Sequence, residues 1–164
     1  MNIRKFEHSD IKFMIEIWND IVNDGIAFPQ TEILDEISGS EFFASQSFTG
    51  VCVGENGEIL GLYILHPNNV GRCGHIANAS YAVSKNARGK GVGEILVRHS
   101  LQKAGNLGFR IMQFNAVVAE NKVALRLYEK LGFTKLGIIK GGFLSKNGEF
   151  ADIIPHYIEL DKFK

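Results

Sequence analysis

The sequence lacks the features that would assign it to several broad classes of protein. Eighteen Lys and Arg residues balance eighteen Asp and Glu residues, so no net charge favours nucleic acid or an anionic membrane as a partner. No run of eighteen apolar residues occurs, and residues 1–10 lack the apolar stretch of a signal peptide. We therefore expect a soluble cytoplasmic protein that acts on neither a membrane nor a nucleic acid.

Cysteine is also scarce. Only Cys52 and Cys73 are present, and two cysteines are too few to staple a domain that can build its own core, so we expect both thiols to be free. The cysteines and the five histidines lack the C-x-x-C or H-x-x-x-H spacing of a metal site, and we expect no metal. No linker, repeat or low-complexity tract divides the 164 residues, which predicts a single domain over residues 1–164.

The hydrophobic pattern predicts both strands and helices. Ser9 can cap a helix whose apolar residues share one face, and Gly25 can end it. Asn56-Gly57 predicts a tight type I′ hairpin turn. The predicted strands cover about 2–7, 49–55, 58–66, 74–83, 111–119, 133–140 and 149–160, and the other predicted helices cover about 30–38, 91–105 and 121–131. This order predicts a mixed sheet with helices on both faces, an α/β or α+β fold.

A glycine-rich loop, Arg88-Gly89-Lys90-Gly91-Val92-Gly93, lies between a predicted strand and a predicted helix. Glycines let backbone N–H groups converge, and the helix N-terminus adds its positive dipole end, so the loop is a candidate site for a diphosphate. A Rossmann motif would need glycine at position 94, where Glu94 stands, and a Walker loop would need glycine at position 84, where Ser84 stands. A plain turn before a helix is the alternative interpretation of the glycines.

Two segments resemble the GNAT acetyltransferase superfamily. Arg88, Gly91 and Gly93 match its pyrophosphate motif R-x-x-G-x-G, and residues 121–133 match its helix pattern N-x-x-A-x-x-L-Y-x-x-x-G-F. The resemblance is specific over about residues 74–133. It implies a GNAT fold, with a mixed sheet of about seven strands that is splayed at strands 4 and 5 and flanked by about four helices. It also implies acetyl-CoA as the acetyl donor and an amine as the acceptor.

The resemblance also implies roles for individual residues. The backbone of Tyr81, Ala82 and Val83 would pair with the pantetheine arm and polarise the thioester, and Arg88, Gly89, Lys90, Gly91, Val92 and Gly93 would hold the phosphates. Asn121 would hydrogen-bond the arm, Ala124 would leave room for it, and Tyr128 would protonate the departing thiolate. Alternatively, Asn121 caps the helix and Tyr128 is a core residue.

The general base is left open by the sequence. Many family members have a glutamate upstream on the strand before the glycine loop, but residues 75–80 contain no carboxylate. His75, a water relay, or an amine that arrives neutral are the alternatives, and a lone histidine on a strand is more often structural.

Asn78 and Asn115 are the candidates for binding the acceptor. Asn115 lies in the middle of a predicted strand, where a buried amide must find hydrogen-bond partners, and a polar bridge within the sheet is the alternative interpretation. Their segments resemble the fungal acetyltransferases that act on proline analogues such as azetidine-2-carboxylate. This narrower resemblance implies an amino acid acceptor, with Asn78 and Asn115 as substrate-binding residues and Asn115 also as a catalytic candidate. Phe28, at the end of residues 25–28, and residues 141–143 are expected to form walls of the acceptor pocket.

Other functions remain open at this stage. The chain could be a non-catalytic acyl-CoA-binding module, or it could acetylate a protein N-terminus or lysine. An acetyltransferase for phosphorus-containing amino-acid analogues would need extra cations in the acceptor pocket, and the sequence has no such cluster. Dimerisation is common in the family, and the sequence neither requires nor excludes a homodimer.

Overall fold

The computed structural model describes residues 1–163 and contains a seven-stranded mixed sheet with helices on both faces. The sheet order is β1-β2-β3-β4-β5-β9-β6, and β7 and β8 form a separate antiparallel pair. In chain order the elements are β1 (Asn2–Lys5), α1 (Ile11–Asp24), α2 (Glu36–Ala44), β2 (Phe48–Val53), β3 (Ile59–Pro67), β4 (Ile76–Val83), α3 (Val92–Asn106), β5 (Ile111–Phe114), α4 (Lys122–Leu131), β6 (Thr134–Lys135), β7 (Ile139–Leu144), β8 (Phe150–Ile153) and β9 (His156–Glu159).

Two hydrophobic cores lie on opposite faces of the sheet. One core joins α1 and α2 to side chains such as Leu62, Ile64 and Ala82, and the other joins α3 and α4 to side chains such as Ala77, Ala79 and Phe114. The apolar residues predicted to share one face of α1 are buried, which confirms the prediction. They are Ile11, Met14, Ile15, Trp18, Ile21 and Val22. In α3 the apolar residues of one face are likewise buried: Val92, Leu96, Val97, Leu101 and Ala104. No helix within residues 1–163 is long and apolar enough to cross a membrane.

The second predicted helix was placed wrongly, because it begins at Glu36 and not near residue 30. Asp35 and Ser38 fix its start by a reciprocal capping box. The Ser38 N–H donates to Asp35 Oδ1 at 2.8 Å, and the Asp35 N–H donates to Ser38 Oγ at 2.9 Å. The hairpin turn at Asn56-Gly57 is not type I′ either, since that turn needs positive φ at both residues and only Gly57 has it.

Three predicted strands are shorter than the sequence indicated. The strand predicted for 149–160 is divided into β8 and β9 around Pro155, which has no N–H for a sheet. The strand predicted for 133–140 is likewise divided into β6 and the start of β7. The strand predicted for 111–119 ends at Phe114, because the chain then leaves the main sheet. Val118 instead forms an isolated bridge with Ile153, the last residue of β8.

The sheet opens between β4 and β5, as the resemblance predicted. These strands are parallel, and their pairing covers only Ile76 with Ile111 and Ala77 with Met112. Residues 78–83 of β4 extend beyond this pairing without a partner strand on that side. β4 itself contains no bulge, because its register with β3 is continuous from Gly61 opposite Val83 to Pro67 opposite Ala77. The opening therefore comes from the early divergence of β5.

Candidate active site

The free edge of β4 presents backbone groups to the opening. The Ser84 N–H donates to Leu60 O at 2.9 Å, and antiparallel pairs alternate between bonded and non-bonded residues. Ala82 therefore pairs with Leu62 on β3, whereas the N–H and C=O groups of Tyr81 and Val83 point toward the opening. Within residues 1–163 no backbone group bonds these two N–H groups. They are available to a ligand, and the Ala82 backbone is not.

The glycine loop ends in a helix N-terminus with free donors. Gly91 is the N-cap of α3, with φ of 79°, a conformation that favours glycine, and no side chain caps the helix. By contrast, side-chain oxygens of Asp35 and Asn121 cap α2 and α4. Among residues 1–163 no acceptor bonds the N–H groups of Gly89, Gly91, Val92 or Gly93. Such unpaired donors at the positive end of a helix dipole form an anion site.

Two cations at this loop are engaged by α1. An Arg88 guanidinium nitrogen lies 3.3 Å from Asp24 Oδ2, and Lys85 Nζ lies 3.8 Å from Asp24 Oδ1 and 3.3 Å from Asp20 Oδ1. Lys90 is exposed and makes no ion pair within residues 1–163. Asp24 thus competes with any bound phosphate for the charge of Arg88.

Glu94 in the first turn of α3 would repel an anion if its charge were not compensated. Lys130 of α4 lies 2.7 Å from one carboxylate oxygen and Arg98 lies 2.8 Å from the other. The hydrogen bonds from Lys130 and Arg98 both lower the pKa of Glu94, and the one from Lys130 has the larger effect. The Lys130 contact also ties α4 to the start of α3, across the helical side of the site.

The α4 residues singled out in the sequence share one face, as their spacing predicted. Asn121 is the N-cap, and its Oδ1 accepts a hydrogen bond from the Ala124 N–H at 3.1 Å. Its Nδ2 has no partner within residues 1–163 and can still donate to a ligand. Asn121 therefore does cap the helix, and this does not exclude the predicted contact with the pantetheine arm. Ala124 is half-buried against the α3-side core.

Tyr128 lies in an aromatic cluster below the opening. Its ring centroid is 4.7 Å from that of Phe114, 5.2 Å from Phe133 and 5.7 Å from His156. Burial raises the pKa of Tyr128 well above its usual value, so the phenol is protonated at neutral pH. The Tyr128 ring packs against the core on the α3 side, while its hydroxyl has no hydrogen-bond partner within residues 1–163 and is free to donate to a ligand.

His156 is a neighbour of Tyr128 that the sequence did not single out. Its ring is 0% exposed, its Nδ1 lies 2.7 Å from Ile154 O, and its buried Nε2 has no partner. Burial lowers the pKa of His156, so the ring is neutral and Nδ1 carries the proton donated to Ile154. Nε2 is then an unpaired acceptor beside Tyr128. The side chain of Tyr81 plays no such part, because its hydroxyl donates to Ser100 Oγ at 2.7 Å.

The two asparagines predicted from the sequence are brought together by a third. Asn68 Oδ1 accepts from Asn78 Nδ2 at 3.2 Å and from Asn115 Nδ2 at 2.7 Å. Asn115 Oδ1 in turn accepts from Asn68 Nδ2 and from Gln113 Nε2, both at 3.1 Å. We call these four residues the amide cluster. Sequence reasoning missed Asn68, whose only local signal is its position directly after a strand.

The amide cluster and Tyr128 lie on opposite faces of the sheet. Asn78 shares its strand parity with Ala82, which packs against α1, whereas Phe114 packs against α4 and leaves Gln113 and Asn115 pointing to the α1 face. The opening between β4 and β5 connects the two faces. An acceptor bound at the amides and a thioester beside Tyr128 could therefore meet within it.

Lys146, in the turn between β7 and β8, contacts the first of the two predicted walls of the acceptor pocket. Its N–H donates to Gly25 O at 3.2 Å, and its Nζ donates to Asn23 O at 2.8 Å. Beside this contact lies an open cavity of about 490 Å³, whose lining includes Ile26, Lys146 and Phe150. Phe28 itself is 8% exposed and packs on Trp18 with centroids 4.5 Å apart, so little of its ring can face a ligand.

Three other residues considered from the sequence are His75, Cys52 and Cys73. The His75 side chain is exposed, and its carbonyl accepts from the Arg110 N–H at 2.9 Å. Cys52 is buried and Cys73 is exposed, and both are free.

Comparison with known proteins identifies related sequences and folds. A sequence model described as the acetyltransferase (GNAT) family matches residues 13–133. N-acetyltransferase aca1 of Schizosaccharomyces pombe is 44% identical over 82 residues, which are 50% of this chain but only 39% of that protein. YwnH of Bacillus subtilis, whose name refers to phosphinothricin acetylation, is 31% identical over 86% of this chain and 88% of its own. A phosphinothricin acetyltransferase of Sinorhizobium meliloti, solved with acetyl-CoA, is 22% identical with a TM-score of 0.88, covering 96% of this chain and 87% of its own.

The ion pair between Asp24 and Arg88 generates a testable prediction. Asp24→Asn removes the competing carboxylate, so we expect acetyl-CoA to bind about two- to fivefold more tightly at low salt, with the gain lost at about 0.5 M salt. Isothermal titration calorimetry measures the dissociation constant. Glu41→Gln on α2 is the control, since it changes the net charge equally at an exposed site elsewhere. An unchanged or weaker affinity in Asp24→Asn would show that Asp24 does not compete for Arg88.

Proposed function

Because this chain belongs to the acetyltransferase (GNAT) family and is an acetyl-CoA-dependent N-acetyltransferase, we propose that it acetylates the amine of a small amino acid or amino-acid analogue. The observation that carries this proposal is the amide cluster. Asn78 and Asn115 are held together at the opening between β4 and β5, on the face opposite Tyr128. Amide N–H groups there can bind a carboxylate while the amine reaches into the opening.

We propose direct transfer between two bound substrates. The lone pair of the neutral amine attacks the thioester carbonyl carbon, the C–S bond breaks, and the amine proton leaves to water. The exposed N–H groups of Tyr81 and Val83 are suited to polarise the carbonyl oxygen, and the free donors of Gly91 and Gly93 to hold the phosphates. Asn115, as a catalytic candidate, acts by orienting the acceptor.

Tyr128 is proposed as the group that meets the departing sulfur. Burial raises its pKa, so the hydroxyl keeps its proton at every pH at which the enzyme would normally be assayed. It therefore donates a hydrogen bond to the departing thiolate, gives up its proton as the C–S bond breaks, and takes back from water the proton that the amine has lost. His156 Nε2 is too weakly basic, in its buried neutral form, to remove that proton.

A cavity near the C-terminal end of α1 also bears on the choice of acceptor, and none of its lining residues belongs to the amide cluster. The cavity of about 490 Å³ is within the size range of small-molecule pockets, about 300–1,000 Å³. Three carboxylates line it, those of Asp24, Glu120 and Glu149, against one ammonium, that of Lys146. Arg88 and Lys85 offset the charge of Asp24, so Glu120 and Glu149 are the carboxylates that can attract a protonated amine before it loses its proton.

A phosphorus-containing amino acid is the second candidate acceptor. Its support is the similarity to YwnH, whose name refers to phosphinothricin, over most of both chains. The carboxylates that line the cavity disfavour an additional anion, which makes a simple amino acid the first choice.

A panel of acceptors tests the proposal. We expect release of CoA thiol with proline, azetidine-2-carboxylate or hydroxyproline to be faster than with the matched amines pyrrolidine and azetidine, because only the former offer a carboxylate to the amides. Phosphinothricin and a lysine peptide complete the panel. Equal rates with and without the carboxylate, or a faster rate with the peptide, would contradict the proposal, and acetyl-CoA binding without turnover would favour a binding module.

Tyr128→Phe tests the role of the phenol. We expect kcat to fall about 10²-fold while acetyl-CoA affinity stays nearly unchanged, because only the hydroxyl is lost. In the wild type the raised pKa of Tyr128 means that kcat should rise with pH as the amine loses its proton, with no fall from phenol ionisation below about pH 10. Tyr63→Phe is the control, since it removes a buried hydroxyl bonded to His99 at 2.8 Å. Full activity of Tyr128→Phe across pH would refute the assignment.

A further inference from the structure

We propose that Asn68 is a positioning residue that locks the side-chain amides of Asn78 and Asn115 with their N–H groups directed to the acceptor. The inference rests on the proposed function, since it gives those two amides a carboxylate to bind. It adds a third residue to the acceptor site, from the segment that directly follows β3.

The first argument is the hydrogen-bond pattern of the amide cluster. Asn68 and Asn115 form a reciprocal amide pair, with donor–acceptor distances of 2.7 and 3.1 Å. The same Asn68 oxygen also accepts from Asn78 Nδ2 at 3.2 Å. A single side chain therefore contacts both of the amides that the sequence assigned to the acceptor.

The second argument is a count of the remaining donors and acceptors. The two lone pairs of Asn68 Oδ1 are used by Asn78 and Asn115, and those of Asn115 Oδ1 are used by Asn68 and Gln113. Within residues 1–163, Asn68, Asn78 and Asn115 each retain one unused N–H. The only unused oxygen among these three side chains is that of Asn78. Among the residues that the structure describes, these three side chains together therefore offer three free N–H groups and one free oxygen, which suits a carboxylate, and Gln113 keeps one free N–H and its oxygen.

The third argument is the location of Asn68. It directly follows β3, and its own N–H donates to Ile76 O at 2.8 Å, which fixes its backbone against the start of β4. From there its side chain reaches Asn115, beyond the point at which β4 and β5 stop pairing. Asn68 therefore links β4 to the segment that follows β5, at a point where no backbone hydrogen bond joins the two.

Without such a partner, an asparagine amide can rotate by 180° and present its oxygen in place of its N–H groups. Asn78 and Asn115 would then each sample both orientations, and only some combinations could bind a carboxylate. Asn68 removes this freedom before the acceptor arrives, so its loss should weaken acceptor binding more than it slows the chemical step.

Asn68→Ala and Asn68→Asp test this role, with Asn69→Ala as the matched control. Asn69 is the exposed neighbour, and its side chain bonds only the Val70 N–H. For the preferred amino acid, we expect Asn68→Ala to raise KM about tenfold while kcat changes by less than about threefold. KM for acetyl-CoA and for the matched amine without a carboxylate should stay near the wild-type values.

Asn68→Asp keeps both accepted hydrogen bonds but replaces the donor to Asn115 by a charged oxygen. We expect it to raise KM for the amino acid further, because the new charge repels a carboxylate, and to leave KM for the matched amine unchanged or lower. This variant decides the question if Asn68→Ala does not fold. Wild-type KM for the amino acid in Asn68→Asp, or an equal effect from Asn69→Ala, would overturn the proposal.

A readout that does not depend on the acceptor separates this inference from the proposed function. In NMR spectra of the free enzyme, the side-chain NH₂ signals of Asn78 and Asn115 should shift or broaden in Asn68→Ala and stay unchanged in Asn69→Ala. If the wild type shows no preference for carboxylate acceptors, the proposed function fails, and these signals still test Asn68. Unchanged signals in Asn68→Ala would overturn the positioning role.

Discussion

The early divergence of β5 from β4 is the constraint on which the site depends. Backbone N–H and C=O groups in a sheet are normally paired, and leaving them unpaired in a protein interior costs free energy. Here residues 115–119 turn away from β4 and form hydrogen bonds with β8 instead. The Ala119 N–H, for example, donates to Asp152 O at 2.9 Å. The neighbouring pair β7–β8 thus holds β5 and its continuation away from β4. The Tyr81 and Val83 groups are left for a ligand.

The two faces of this opening differ in chemistry. On one face, α3 begins with unpaired N–H groups, and α4 places Tyr128 in an aromatic cluster whose burial keeps the phenol protonated. On the other face, polar amides surround the parting of the strands, and carboxylates line the nearby cavity. This division matches the demands of transfer from a thioester to an amine, in which the extended, anionic donor and the amine acceptor must meet at one carbonyl carbon from different sides.

The parts of the site that are local in sequence could be predicted, and the parts made by distant contacts could not. The order strand, glycine loop and helix is contiguous, so the start of α3 within the glycine loop and the opening beside β4 followed from the sequence and its family resemblance. The start of α2 was missed although its signal was present, because Asp35 and Ser38 form a capping box that periodicity alone does not weigh. The division of the strand predicted for 149–160 at Pro155 was also overlooked, because strand periodicity gives no weight to a single proline. Asn68 could not be found, since it meets Asn115 across 47 positions of the chain through side chains alone.

Amide hydrogen exchange with and without CoA tests the central claim most directly. The account predicts that exchange at Tyr81 and Val83 slows at least about tenfold when CoA binds, because their free N–H groups become hydrogen-bonded. The Ala82 N–H serves as an internal reference, since its strand pairing with Leu62 should protect it in both states. If CoA binds and the exchange rates of Tyr81 and Val83 stay unchanged, the free edge of β4 does not hold the cofactor, and the account is wrong.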